Sequence, residues 1–297
     1  MLTIFANMKI DSTVRLQHMK DSFLSFDTIS DNWLINIRGK FRNDALGFLR
    51  EKLGNKMVEF EFLDDSRGWA KNALEMLKKA EHDYILLWNE DHLNIAPQEI
   101  YSEIIKDMKA DGVDSMFYSF WYFGQLRKGL ENLPLNEHEY IDTIELTKKR
   151  WEEARKNGHT NYLISMAGIF KKDFIEDLFK FESRKFPGFF TALVNISIGV
   201  CYKFVNLFRR KNQLVVSGKY FDFINKYLFR YRLTNFSKET PFNLERNPKR
   251  VDILPIKIAI PKQELFVNID CDCGFDNYSL IQRGIYKDPT SERSVLK

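Results

Sequence analysis

Four strand-length runs alternating with three stretches of helical spacing constrain the first ninety residues more than any other feature. Leu2–Ala6, Trp33–Ile37, Met57–Leu63 and Asp83–Trp88 have strand length, and Tyr84-Ile-Leu-Leu-Trp88 is apolar on both faces. Between them lie three predicted helices. Ser12 caps the first, which carries Val14, Leu16, Met19, Phe23 and Leu24. Asn43 or Asp44 starts the second, which runs through Leu46, Leu49 and Leu53 to Gly54. The third spans Trp69–Ala80, with Ala73, Leu74 and Leu77 on one face. Strands alternating with helices in this way call for a mostly parallel sheet with helices on both sides. Ligands of such sheets bind at the carboxyl ends of the strands. Asn7, Arg38, Asp64–Asp65 and Asn89–His92 hold those positions and are expected to line one crevice.

Further along, Ile95–Lys109 reads as a helix, Ser115–Phe120 as a strand and Gly124–Tyr140 as a loop. Ile141–Lys156 reads as a charged helix, Asn161–Phe170 as an extended segment and Lys172–Phe181 as a helix. Tyr220–Tyr231 is amphipathic with helical spacing, and Ile253–Ile260 and Glu264–Ile269 are strand candidates. No repeat or low-complexity linker interrupts the chain. The predicted organisation is one α/β domain over 1–215, divided into halves at 125, with 216–297 as a C-terminal extension packed on it.

Composition excludes some functions. Forty-five basic residues nearly balance forty-one acidic ones, for a formal net charge of +4. Nucleic-acid binders carry clustered basic excess, so none is expected here. The three cysteines, Cys201, Cys271 and Cys273, do not form a disulfide framework and suit a reducing cytoplasm. MLTIFANMKID has no basic stretch leading into an apolar run, so no signal peptide is predicted. Phe186–Tyr202 lacks charge but is interrupted by Pro187, Gly188 and Asn195, and is shorter than a membrane span. It reads as a core helix, or as a peripheral membrane contact over 186–208 with basic flanks on lipid phosphates.

The segment Asp83-Tyr-Ile-Leu-Leu-Trp-Asn-Glu-Asp-His92 carries the most chemistry. An apolar strand delivers acidic groups to its carboxyl end, where they suit a hard cation better than they suit stability. Together with Gly68-Trp69-Ala70-Lys71-Asn72 at a helix start and Asn89-Glu90-Asp91 in place of an acidic D-x-D triplet, residues 1–125 resemble the family 2 glycosyltransferases of GT-A type. The resemblance implies a GT-A-like (Rossmann-like) fold, a nucleotide-sugar donor, and Mg²⁺ or Mn²⁺ held by Asp91. It implies Asn89 or Glu90 near the ribose or the metal, with His92 as a further ligand or a hydrogen-bonding neighbour. It also implies a glycan or lipid-linked glycan acceptor, in surface polysaccharide or glycoconjugate synthesis. Two positions depart from the family: Asn89 replaces the first acid, and Arg38-Gly39-Lys40 stands where Asp-Asp-Gly-Ser normally meets the base.

The remaining candidates each have a functional reading and a plain one. Arg38 and Lys40 suit phosphate or a solvated turn. Lys71 and Asn72 open the third helix, where anions are favoured, or are surface groups. Asp64 and Asp65 stand in for the missing base contact. Ser165–Lys172 resembles the acceptor-side strand of these enzymes, or is a core strand. Arg283 is a phosphate ligand if the tail folds back. Glu245, in Thr240-Pro-Phe-Asn-Leu-Glu245, is the candidate general base, or a surface glutamate. His18, His82, His138 and His159 are read as surface. Two other functions fit the same pattern: a non-catalytic glycan- or nucleotide-binding protein, and a nucleotidyltransferase. The second is disfavoured because Asn7–Val14 contains no glycine.

Overall fold

The computed structural model describes residues 1–63, 68–117, 133–157, 167–182, 253–270 and 278–287. Its first half alternates as expected: β1 (Thr3–Lys9), α1 (Thr13–Phe26), β2 (Asn32–Arg38), α2 (Arg42–Leu53), β3 (Met57–Phe60), α3 (Trp69–Leu77) and β4 (Tyr84–Leu87). Ser12 caps α1 as predicted; it is extended at φ −134°, ψ 158°, and its hydroxyl accepts from the Arg15 N–H at 3.2 Å. Gly54 ends α2 with φ 55°.

The second half comprises β5 (His92–Asn94), α4 (Ile100–Ala110), β6 (Ser115–Phe117), β7 (Asn136–Glu137), β8 (Ile141–Leu146), α5 (Lys148–Lys156), β9 (Gly168–Lys171), α6 (Lys172–Glu182), β10 (Ile256–Pro261) and β11 (Phe266–Asn268). Nine strands form one sheet in the order β3-β2-β1-β4-β9-β6-β10-β8-β7. The block β3-β2-β1-β4 is parallel throughout. β9 runs antiparallel between β4 and β6, and β10 pairs parallel with β6 and antiparallel with β8. The α/β class and mostly parallel sheet expected from the sequence are therefore present.

Side chains alternate strictly across the sheet. Leu2, Ile4, Ala6 and Met8 face one apolar layer with Met19, Phe23 and Phe26 of α1, Leu46 and Leu49 of α2, and Ile104 and Met108 of α4. Phe5, Leu34, Ile85 and Leu87 face the other, with Trp69 and Met76 of α3, Trp151 of α5 and Phe179 of α6. In that second layer Trp69 meets Phe179 edge to face, with ring centroids 5.1 Å apart.

Two expectations need correction. Ile141–Lys156 is not one helix. Ile141–Leu146 is a strand paired with Ile256–Pro261, and Thr147 starts α5, its Oγ accepting from the Arg150 N–H at 3.3 Å. The strand's partner lies more than a hundred residues downstream, so local periodicity did not reveal it. His18 is not a surface residue: it is 2% exposed, and the ring of Tyr286 packs on it at 5.7 Å. The C-terminal segment also enters the main sheet as β10. Among the described residues, no helix is long and apolar enough to cross a membrane. Residues 186–208, 220–231, Glu245, His159 and the Asp270–Asp276 turn beyond Asp270 lie outside the described residues.

The turn after β2 leaves no room for a side chain. Gly39 has φ +98°, and a Cβ there would meet Asp11 Oδ1 and Ile10 O at 2.6 Å. The Lys40 N–H donates to Asp11 Oδ1 at 3.2 Å and the Phe41 N–H to Ile10 O at 3.0 Å, so the turn is locked to the end of β1. Gly112 also has positive φ, +64°, but nothing lies within 4 Å of its Cβ position. Gly39→Ala is expected to lose about 3 kcal/mol or more, adding a backbone clash to strain, and Gly112→Ala about 1 kcal/mol from strain alone. Urea unfolding midpoints of the two variants measure the difference, and equal losses would reject the packing argument.

Candidate functional site

Parallel pairing brings the carboxyl ends of β1, β2, β3 and β4 to one edge. The Trp88 N–H continues the ladder beyond β4, donating to Phe5 O at 2.9 Å, so the acidic segment Asn89-Glu90-Asp91 leaves the sheet directly beside β1. The turn closes through the His92 N–H, which donates to Asn89 O at 3.3 Å.

The three residues of that segment have different surroundings. Asn89 is half-buried. Glu90 is 7% exposed, and Arg15 from the first turn of α1 forms a short ion pair with its Oε1. Burial and then the charge of Asp91 push the Glu90 carboxyl up to about 7, against the pull of Arg15. Asp91 is partly exposed and its Oδ1 lies 2.7 Å from His92 Nδ1. Burial raises its pKa, but the His92 ring, through charge and hydrogen bond, carries it below the ordinary carboxylate value. The two neighbouring acids are thus driven in opposite directions.

The segment is held on three sides. From α1, Ser22 accepts from Trp88 Nε1 at 2.7 Å and donates a short bond to His92 O. β5 pairs antiparallel with β11, Asn268 lying opposite His92, and the Ile269 N–H donates to Asp91 O at 2.6 Å. Residues 278–287 lie over α1: Tyr286 Oη donates to Asp21 at 2.5 Å, and the Arg283 guanidinium grips Glu264 through two bonds of 2.5 and 3.0 Å. Arg283 is therefore engaged within the C-terminal segment. Burial, then the charge of Asp91, raise the Tyr278 phenol above its ordinary value.

Next to this edge, Asn7 lies two residues before the end of β1, with Asn36 opposite it on β2. Asn36 Nδ2 donates to Asn7 Oδ1 at 2.8 Å, and Trp69 Nε1 from the start of α3 donates to Asn7 O at 3.3 Å. Asn72 is 3% exposed on α3, Lys71 is half-buried beside it, and Arg38 is half-buried at the end of β2 with its carbonyl accepting from the Ile10 N–H at 2.8 Å. Arg38, Asn89, Glu90, Asp91 and His92 thus lie at or beyond the strand ends as expected, whereas Asn7 lies within β1, which runs on to Lys9 because Met8 and Lys9 still pair with β2. Trp69 Nε1 ties the start of α3, which carries Lys71 and Asn72, to Asn7. Asp64, Asp65 and Glu245 lie outside the described residues.

Sequence reasoning missed Arg15, Ser22, Asn36 and Tyr278. Only Asn36 carried a signal: a polar residue inside the apolar run Trp33–Ile37 needs a buried partner. For a divalent cation, Asp91 offers one hard oxygen, while Glu90 is engaged by Arg15. Among the described residues no group of three or more His, Cys, Asp or Glu is placed to hold a metal. A Mg²⁺ or Mn²⁺ ion at Asp91 would therefore draw on one protein carboxylate, with substrate phosphates and water completing its shell, a mode Mg²⁺ adopts.

Because the Glu90 value is raised, its proton stabilises the folded state fully below about 4.5 and is lost as pH rises through about 7. The penalty for ionising it amounts to roughly 3 kcal/mol at most. Glu90→Gln keeps an oxygen for Arg15 without the charge. It is expected to melt above the parent at about pH 8 and with it near pH 4.5. Thermal melts across that range check this; a variant less stable than the parent at pH 8 would mean that the Arg15 pair outweighs desolvation.

No family model and no curated protein matches the sequence. Solved structures of S. aureus TarS are similar in part. One matches with 16% identity and a TM-score of 0.37, covering 63% of this chain and 30% of that one. TarS 1-349 in complex with UDP-GlcNAc matches with 14% identity and a TM-score of 0.38, covering 63% and 49%. The UDP complex matches with 13% identity and a TM-score of 0.35, covering 61% and 55%. The chain therefore spans about a third to about half the length of the structures it matches.

Proposed function

We propose that this chain transfers a sugar from a nucleotide-sugar donor to a glycan or lipid-linked glycan acceptor, with Mg²⁺ or Mn²⁺ at Asp91. The observation that carries the reading is the crevice edge itself. Four parallel strands end together, with an amide pair and aromatic side chains at one end of the row and a partly exposed, ionised carboxylate at the other. A nucleoside diphosphate has this same division between a flat polar base and a charged tail. The bound cation would supply positive charge against the diphosphate leaving group. His92 and the Ile269 N–H hold Asp91 in place, while Arg15 keeps Glu90 out of competition for the ion. Lys71, Asn72 and Arg38 are the neighbouring polar groups proposed for the phosphates and ribose. Glu245 stays the proposed general base if the transfer inverts, and surface polysaccharide or glycoconjugate synthesis is the setting such an acceptor implies.

A second reading, a donor- or glycan-binding protein without catalysis, draws support from the Arg15–Glu90 pair, which leaves a single acid for the cation. Asp91→Ala separates the two. If the chain is a transferase, Mn²⁺-dependent release of nucleoside diphosphate from UDP-, GDP-, CMP- or dTDP-sugars is expected to fall at least about 100-fold. The melting curve should confirm that the variant is folded. Near-parent turnover in that variant would remove Asp91 from the chemistry. Donor binding by the parent without any turnover would favour the binding protein.

A further inference from the structure

A cavity lies at the opposite end of the sheet from the crevice, where the first strands begin. Leu2 precedes β1, Ser30 precedes β2 and Lys56 precedes β3. The turn into α4 contributes Gln98, and α4 itself Tyr101 and Ile105. β1 is seven residues long, so cavity and crevice are about 20 Å apart. The cavity has a volume of about 360 Å³, within the range of small-molecule sites, about 300–1,000 Å³. Leu2, Ile29 and Ile105 are buried and give it an apolar floor, while Thr28, Asp31 and Glu99 are exposed and mark its mouth.

The amides and hydroxyls of its interior are matched, save one. The Ser30 hydroxyl donates to Leu2 O at 2.6 Å and the Tyr101 hydroxyl to Asn94 Oδ1 at 2.8 Å. Gln98 Nε2 donates to Ser25 O at 3.3 Å. A carbonyl oxygen only accepts, so that atom of Gln98 is the nitrogen and the other is the acceptor Oε1. Gln98 Oε1 is buried and has no hydrogen-bond partner among the described residues. Leaving such an acceptor unmatched is costly. The turn does not depend on it, because Ser25 O also accepts from Asn94 Nδ2 at 3.0 Å. The unmatched oxygen thus belongs to a side chain of the cavity wall, beside apolar surface.

That pairing selects the ligand. A carboxylate or phosphate head brings only acceptors and cannot satisfy Gln98. Charge at the mouth does not favour an anion either. Asp31 and Glu99 face Lys56 alone among the exposed charged side chains there. The His82 ring, 2.7 Å from Asp31, holds that carboxyl below its ordinary value, so Asp31 stays ionised. We propose that this cavity is a second ligand site, taking a small molecule with an apolar body and a hydrogen-bond donor head, a hydroxyl or an ammonium, that meets Gln98 Oε1. The site is independent of the donor-site reading above, since none of its residues lies at the crevice.

Phenylbutanol, phenylbutylamine and phenylbutyrate share one apolar body and differ in the head, so they serve as probes. Each is titrated into the full chain and its affinity read by ligand-observed NMR. The alcohol or the amine is expected to bind at least tenfold more tightly than the acid, and the tighter of the two gives the charge of the head. Gln98→Leu removes the acceptor and is expected to weaken the better probe roughly fivefold. Thr28→Trp leaves Gln98 in place and is expected to abolish binding by filling the exposed mouth. Melting curves show that both variants are folded. Equal binding of all three probes, or binding unchanged in Gln98→Leu, would overturn the donor-head assignment. Binding that survives Thr28→Trp would place the probes elsewhere on the chain, and failure of the parent to bind any of them would remove the site.

Discussion

Parallel pairing of β1 with β2 on one side and β4 on the other is the constraint from which the crevice follows. These strands are buried on both faces, with Ile4, Ala6, Ile35 and Leu86 in one layer and Phe5, Leu34, Ile85 and Leu87 in the other. A slip of one residue would exchange the two sets and set Phe5 or Trp33 against helices shaped for their neighbours. Register is therefore fixed by packing. In β1, β2 and β4 charged groups then sit only at or beyond the strand ends, and because the strands run the same way their carboxyl ends lie together. Arg38 and Asn89–Asp91 share an edge for this reason, although they follow different strands.

The acidic turn is not completed by the half of the chain that contains it. β11 supplies the antiparallel partner of β5, Ile269 bonds the carbonyl of Asp91, and Tyr278 lies close enough for the carboxylate charge to act on its phenol. These contacts join residues more than 170 positions apart. β10 makes a comparable demand, since it pairs with both β6 and β8. Closing such loops costs entropy that nearby contacts do not. The helices and the parallel block have local or near-local partners, whereas the orientation of Asp91 depends on the last segment of the chain. The C-terminal segment is better described as part of the site's wall than as an addition to it.

This explains which features were legible in the sequence. Alternation of apolar runs with capped helical segments revealed β1 to β4 and α1 to α3, because those signals repeat within windows of a few residues. The strand-end residues Arg38 and Asn89–His92 followed from topology once the sheet was taken as parallel, whereas Asn7 fell inside β1, which pairs with β2 for two residues more than the apolar run. Ile141–Leu146 was misread because strand formation there is decided by Ile256–Pro261, which no local window contains. His18 was misread for a similar reason: the ring that covers it belongs to Tyr286. Arg15 was invisible as a partner of Glu90, since an arginine in the first turn of a helix ordinarily faces solvent, and only the packing of α1 beside the acidic turn brings the two together.

The triplet shows most clearly what spacing omits. Glu90 and Asp91 are adjacent in sequence and look interchangeable as cation ligands. In the folded chain they are opposites. Glu90 is inside, close to Arg15 and raised towards neutrality by burial and by its neighbour's charge. Asp91 is half-buried; burial raises it, but the His92 ring carries it below the ordinary carboxylate value. Two carboxylates this close cannot both ionise cheaply, and pairing one with Arg15 and the other with His92 resolves the conflict. The division also leaves the outer acid fully charged at neutral pH, as cation binding requires. A second acid facing the crevice would bind the ion more tightly but would add repulsion against an incoming diphosphate. With a single carboxylate, a cation held as proposed would keep room in its shell for phosphate oxygens. The Arg15–Glu90 pair thus leaves Asp91 as the acid of the turn that is charged throughout the neutral range.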